Sequence, residues 1–168
     1  MTLLIIEGCF DMKSVKKTIL KVVLGILALF ALINVSWYGW RMVKYGSYCK
    51  GWEKNSFATW IVPRYVYTDE DGYDYGVKYP EYLSFTGNMS VGMPTDDDNP
   101  FTDFLIVWPK AFGGYDYGVS ITKDGQGYQI YINADGTAVH PEDSEIVTDC
   151  QDTIKDLLSR AKGIWDLE

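Results

Sequence analysis

The chain has one histidine, His140, three cysteines and six prolines in 168 residues, and these shortages exclude much chemistry at once. A Ser-His-Asp or Cys-His arrangement would have to use His140, which precedes Pro141-Glu142 in an expected loop. Cys150 meanwhile falls on an apolar helical stripe, where a thiol is inert. One histidine and two separated cysteines cannot furnish a zinc site. No phosphate loop and no Gly-x-Gly-x-x-Gly occurs, so the usual nucleotide cradles are missing. Asp69-Glu70-Asp71-Gly72-Tyr73-Asp74 opens like a calcium loop, yet Pro80 stands where the closing bidentate glutamate belongs. A solvated acidic turn is the expectation there. Acids are numerous, but nothing singles out a catalytic pair. The chain is expected to be no enzyme and to need no cofactor.

Charge is the next absence. Nineteen residues, 22–40, carry none, and as a helix they span about 28 Å at about 1.5 Å per residue, close to a bilayer's hydrocarbon thickness. Lys13, Lys16, Lys17 and Lys21 precede the run, the pattern of a cytoplasmic flank, and Trp37, Tyr38 and Trp40 close it with rings suited to the headgroup layer. The reading is a cytoplasmic segment over 1–17, a transmembrane signal anchor over 18–40, a juxtamembrane segment over 41–58 and an extracellular domain over 59–168. A cleaved signal peptide is the alternative, but Asn34-Val35-Ser36-Trp37-Tyr38 places bulky or branched residues where cleavage needs small ones.

All but two of the 23 acidic residues lie beyond residue 44, with nine of the 15 basic ones, giving this part a net charge of about −12. Such a surface repels nucleic acid and draws basic partners. Twelve of the 13 tyrosines lie there too, which argues for a folded domain rather than a disordered stalk. Cys49 and Cys150 are the cysteines of this part, and outside a membrane they can form a disulfide. It would enclose 100 residues and contribute up to about 4–5 kcal/mol in the chain-entropy model. In the alternative, Cys150 is a small unpaired hydrophobe.

From residue 59 the pattern is β. Trp60-Ile61-Val62 and Tyr65-Val66-Tyr67 flank Pro63, Asp69-Glu70-Asp71-Gly72 turns the chain, and 73–78 returns. The stretch 82–91 alternates strictly, with Leu83, Phe85, Gly87, Met89 and Val91 on one side. Residues 92–103, rich in Asp and Pro, read as a loop. Residues 104–108 are apolar without alternation and predict a central strand covered on both faces. Tyr115, Tyr117, Val119 and Ile121 alternate, as do Tyr128, Ile130 and Ile132, with turns at 123–127 and 133–136. Ile146, Cys150, Ile154, Leu157, Leu158, Ala161 and Trp165 then recur at helical spacing, predicting one amphipathic helix of about five turns, capped by Asp143 or Ser144 and fraying near Gly163. The fold class is therefore α+β: an N-terminal transmembrane helix, then an antiparallel sheet of six or seven strands with a C-terminal helix packed on one face.

Gly72-Tyr73-Asp74-Tyr75-Gly76-Val77 recurs unchanged as Gly114-Tyr115-Asp116-Tyr117-Gly118-Val119. Duplication of a hairpin would explain it, and so would reuse of one turn-and-strand solution. Tyrosine combines apolar area with a hydroxyl and loses little entropy on ordering, which suits interfaces. Tyr73, Asp74, Tyr75, Tyr115 and Asp116, with the Asp96-Asp97-Asp98 loop, are the candidate contacts for a basic protein partner. Tyr117 is expected in the core.

Tyr82-Leu83-Ser84-Phe85-Thr86-Gly87-Asn88-Met89-Ser90-Val91, followed by Leu105-Ile106-Val107-Trp108-Pro109-Lys110-Ala111-Phe112-Gly113-Gly114-Tyr115-Asp116-Tyr117-Gly118-Val119 and by Ala161-Lys162-Gly163-Ile164-Trp165-Asp166-Leu167, resembles the TipC family of immunity proteins. The resemblance covers about residues 82–167, and its strings carry no catalytic signature. It implies a membrane-anchored Firmicutes protein whose outer domain binds and blocks a secreted LXG-type toxin, one similar to enzymes that destroy lipid II at the outer membrane face. It assigns no contact residue and no disulfide. A structural envelope component, such as a minor pilin-like subunit or a surface-anchored binding domain, is the alternative. Against the pilin outline, no Phe-Thr-Leu-x-Glu follows the basic start.

Overall fold

The computed structural model describes residues 12–54, 62–94 and 103–167. The chain divides into two compact units, residues 1–40 and 41–168. Helix α1, Met12–Gly46, runs through the boundary between them, and its Ser14–Gly46 portion is long and apolar enough to cross a membrane. Its polar side chains turn inward to their own backbone, Thr18 Oγ1 donating to the Ser14 carbonyl at 3.1 Å and Asn34 Nδ2 to the Phe30 carbonyl at 2.7 Å. In a water-free surrounding this local bonding is what makes such side chains tolerable.

The second unit is a seven-stranded antiparallel meander in chain order, β1 (Glu53–Lys54), β2 (Arg64–Thr68), β3 (Asp74–Lys78), β4 (Asn88–Gly92), β5 (Phe104–Pro109), β6 (Tyr115–Lys123) and β7 (Gln126–Ile132). A short 3-10 turn, Pro141–Asp143, leads into α2 (Ser144–Asp149) and α3 (Gln151–Trp165). The strand register aligns two apolar rows across the sheet. One runs Tyr75, Val91, Leu105, Val119, Ile130, and the other Val77, Met89, Val107, Tyr117, Ile132. All ten are buried. Ile154, Leu157, Leu158, Ala161 and Trp165 of α3 are the matching buried stripe. Each fully buried Ile or Leu contributes about 1.5–3 kcal/mol, so this layer holds the fold. The expected α+β architecture and the burial of Tyr117 are borne out.

The first turns of the unit join this core. Tyr45 is fully buried, its hydroxyl accepting the Gly87 N–H at 2.8 Å, and Trp52 stacks on Tyr67 at 5.6 Å.

Four expectations need correction. The stretch 82–91 is a strand only from Asn88. Leu83 has φ 56°, and the Ser84 N–H donates to the Glu81 carbonyl at 2.9 Å, so a turn replaces the first half despite its alternation. Strand β5 is not covered on both faces: Leu105, Val107 and Pro109 are buried, while Phe104, Ile106 and Trp108 remain partly open. The terminal helix is two helices. Cys150 (φ −104°, ψ 19°) bends the axis between α2 and α3, so Val147 rather than Ile146 is the buried residue of α2. Asp143 occupies the N-cap without a side-chain bond, and α3 continues through Gly163 to Trp165, where Asp166 in the left-handed region ends it.

The fourth concerns the cysteines, which are both free. Cys49 Sγ sits 3.6 Å from the Tyr79 hydroxyl, just beyond the Lys78 end of β3. Cys150 follows Asp149, whose carboxylate pairs with Lys123 at the far end of β6. The register sets Lys78 beside Asn88 at one edge of the strands, and Asp74, Gly92, Phe104 and Ser120 in line toward the other. Five residues of strand separate those ends by about 16 Å, while a disulfide tolerates about 4.4–6.8 Å between Cα atoms. The expected bridge is not formed.

Candidate binding face

Alternation that buries one face of the sheet against α3 leaves the other, among the described residues, without a helix. Its central row reads Val66, Gly76, Ser90, Ile106, Gly118, Tyr131 across β2 to β7, and a second row reads Thr68, Asp74, Gly92, Phe104, Ser120, Gln129. Two grooves mark it. One of about 520 Å3 is lined by Arg64, Val66, Asp74, Gly76, Ser90 and Ile106 among others. The second, about 240 Å3, lies over Ile106, Trp108, Gly118, Ser120 and Tyr131.

Each groove has a glycine floor, and both glycines come from the repeated hexapeptide. A Cβ on Gly76 would come within 2.8 Å of Ser90 Oγ, and one on Gly118 within 2.9 Å of the Trp108 ring. Trp108 lies across Gly118 and meets the Tyr131 ring at 5.9 Å. Strand interiors spend a glycine where something approaches closely; here at Gly118 it is an aromatic side chain. The face is thus a shallow apolar strip of Val66, Phe104, Ile106, Trp108 and Tyr131, edged by Arg64, Lys78, Asp74 and Asp116.

The structure separates the residues that the sequence grouped. Asp74 and Asp116 project on the open side and are exposed; Asp74 accepts the Thr68 hydroxyl at 2.6 Å, and Asp116 pairs with Lys110 at 2.7 Å. Tyr75 points the other way and is buried, its hydroxyl donating to Asp69 at 2.9 Å, so it is corrected from partner contact to core. The reason is the two-residue period: an exposed Asp74 forces its neighbour inward. Tyr115 leans on the Tyr117 ring at 6.3 Å. Asp96, Asp97 and Asp98 lie outside the described residues, as do 59–61.

The acidic turn after β2 is built rather than merely solvated. Asp69 accepts the backbone N–H groups of Asp71 and Tyr73 and the Tyr75 hydroxyl. Arg160 of α3 reaches it at 3.2 Å, Asp71 at 3.2 Å and Asp156 at 3.3 Å, with its guanidinium 3.5 Å from the Tyr73 ring centroid. Burial pushes the Asp69 carboxyl up, but the Tyr73 amide, the Tyr75 hydroxyl and Arg160 outweigh it and hold the group below its ordinary value. The Tyr73 hydroxyl donates to Asp156 at 2.7 Å, and that bond raises the tyrosine's pKa. The cation held by these carboxylates is a guanidinium, and among the described residues no group of three or more His, Cys, Asp or Glu side chains is arranged to hold a metal ion.

Comparison with protein-family models, with curated proteins and with solved structures finds no match to this chain.

What sequence reasoning missed is the open face itself. The signal was present in Gly76 and Gly118, each the fifth residue of a repeated string inside a strand pattern.

Proposed function

We propose that the chain is a membrane-anchored binding protein whose open sheet face covers a secreted protein toxin, an immunity protein of the TipC kind acting outside the membrane. The observation that carries this reading is the sheet face that no described helix covers, with its two glycine-floored grooves. A sheet side with Val66, Phe104, Ile106, Trp108 and Tyr131 partly open is the apolar centre of an interface, and the ionic edge is its polar rim. A single apolar helix supplies an anchor, and the acidic domain favours a basic partner through steered encounter. Function on this reading is occlusion, not catalysis.

The test is binding of the full chain, in detergent, to the product of a neighbouring LXG-type reading frame. Ile106→Arg, at the centre of the face, should weaken binding by at least about tenfold, the effect of losing a central contact of about 1.4 kcal/mol or more, with the melting temperature kept. Binding unchanged by Ile106→Arg in a folded protein would dismiss the open face. A folded wild-type chain that binds no such toxin would favour a structural envelope role.

A further inference from the structure

Among the described residues beyond α1, eight large apolar side chains are exposed, and four of them, Tyr82, Leu83, Phe85 and Phe112, sit on two loops at one end of the sheet. The meander explains the clustering. The β3–β4 connection leaves from the Lys78–Asn88 pair, and the β5–β6 hairpin closes at Pro109–Tyr115; alternate turns of a meander share an end. Phe112 at the hairpin tip is fully exposed, between Ala111 and Gly113, and touches nothing that would justify it in water.

The last turns of α1 are bonded to these same loops. Arg41 Nη1 donates to the Pro80 carbonyl at 3.4 Å, the Tyr45 hydroxyl accepts from Gly87, and Lys44 Nζ donates to the Lys110 carbonyl. Trp40 is the last residue of the uncharged run. By connectivity alone Lys44 lies about 6 Å of helix beyond it at about 1.5 Å per residue. The headgroup layer on each side of a hydrocarbon core is about 5–8 Å deep. Both loops are therefore bonded to the residues that directly follow the uncharged run, where a headgroup layer begins and where exposed aromatic and aliphatic side chains gain what they lose in water.

Charge follows the same axis. The loop end carries Arg41, Lys44, Arg64, Lys78 and Lys110 against Glu81, Asp116 and Asp135, whereas Asp69, Glu70, Asp71, Asp74, Asp103 and Asp124 gather at the other with Lys123 and Arg160. A domain whose outer part is acidic overall thus places the larger share of these cations where an anionic headgroup surface would meet them.

We propose that the Tyr82-Leu83-Ser84-Phe85 loop and the Lys110-Ala111-Phe112 hairpin tip dock into the lipid headgroup layer, with Phe112 and Leu83 entering it. Docking holds the acidic end of the sheet away from the bilayer. The inference rests on α1 crossing the membrane and is independent of what the open face binds.

The experiment uses the full chain reconstituted into vesicles of phosphatidylcholine and phosphatidylglycerol. Photoreactive benzoylphenylalanine replaces Phe112 in one protein and Glu70, at the acidic end, in another. Both positions are exposed, so both proteins should fold and float with the vesicles. Irradiation should give lipid adducts at position 112, read by mass, in several-fold excess over position 70. Floating protein without adducts at 112, or with equal yields at both positions, overturns the docking. Protein that fails to float overturns the anchor reading, and the docking with it.

Discussion

Arg160 ties α3 to the β2–β3 turn, and replacing it with methionine keeps the aliphatic stem while removing the cation. Three carboxylates lose a partner, but unequally. The Asp69 pair is the sheltered one, with side-chain exposures of 24% and 18%, and a hydrogen bond between charged groups in such a place contributes about 1.5–3 kcal/mol. Asp71 and Asp156 are well exposed, so their pairs add about 0–1 kcal/mol together. Stacking over Tyr73 adds about 0.5–1 kcal/mol, and freeing the side chain returns up to about 2 kcal/mol of rotamer entropy. The losses sum to about 2–5 kcal/mol, and with about half of that entropy returned the central net loss is about 2–3 kcal/mol. For a unit of this size about 3–5 °C accompanies each kcal/mol, so Arg160→Met should melt about 6–15 °C below wild type. Near-ultraviolet circular dichroism of the full chain in detergent reads the transition through the aromatic cluster around Trp52, Tyr75 and Trp165.

The same ion pair sets a pH dependence. The folded Asp69 carboxyl lies below its ordinary value of 3.8. Its stabilisation is complete above that value and disappears as pH falls through the folded one. The gap between wild type and Arg160→Met should therefore hold from neutral pH down to about pH 4 and narrow below it. A neutral-pH shift under about 2 °C, well short of the range worked above, would refute the assignment of the clamp. So would a gap that stays constant into acid.

Two further substitutions and a labelling test follow from the packing. A Cβ on Gly87 would lie 2.3 Å from the Lys78 carbonyl and 2.7 Å from the Tyr45 ring, and a backbone oxygen cannot yield cheaply. Gly87→Ala should cost about 1–3 kcal/mol or more, whereas Gly163→Ala, in α3 with nothing within 4 Å, should gain about 0.5–1 kcal/mol; paired melting curves with the opposite order would contradict the loop geometry. A thiol mass tag applied to denatured, unreduced protein should label both Cys49 and Cys150. In the native protein Cys150 should react first, because Cys49 is buried and Cys150 only partly so, burial pushing both thiols up; a pair that resists labelling after denaturation would restore the disulfide.

Strands β3, β6 and β7 were legible because their alternation coincides with one dry face, and the helical spacing after residue 150 because α3 has a buried stripe. The misreading at 82–87 has a physical cause. Alternation is a property of side chains, and nothing in it discloses a left-handed Leu83 or a carbonyl pressed against Gly87. The bend at Cys150 was invisible for a related reason, since hydrogen bonding runs through it from Ile146 to Ile154 and the apolar spacing is nearly kept. Strand β5 was misjudged because Phe104, Ile106 and Trp108 are as apolar as the buried residues between them. An open apolar face and a covered one share a composition. Of the candidate site, the ends Asp74 and Asp116 were named and the floor was not, because tyrosine drew attention that belonged to glycine.

The repeated hexapeptide shows what part of a sequence string is structural. In the first hairpin the Asp69 N–H donates to the Tyr73 carbonyl, while in the second the Lys110 N–H donates to the Gly114 carbonyl, both at 3.0 Å. Relative to the string, the second turn closes one residue earlier: Tyr73 is its second residue and Gly114 its first. The strand registers keep the offset, pairing Thr68 with Asp74 but Pro109 with Tyr115. A duplicated hairpin would carry its register with it, because a one-residue slip turns every side chain over. Here the faces nevertheless agree, with Tyr75 and Tyr117 inside and Gly76 and Gly118 on the same central row. The shared element is the strand half, tyrosine inward and aspartate and glycine outward, and reuse of that strand solution explains the string better than duplication. Strands β3 and β6 run in opposite directions, so the two copies place Asp74 and Asp116 at opposite ends of the open face while their glycines stay level across it. One short string thereby sets both the floor of the face and the charged residues at its two ends.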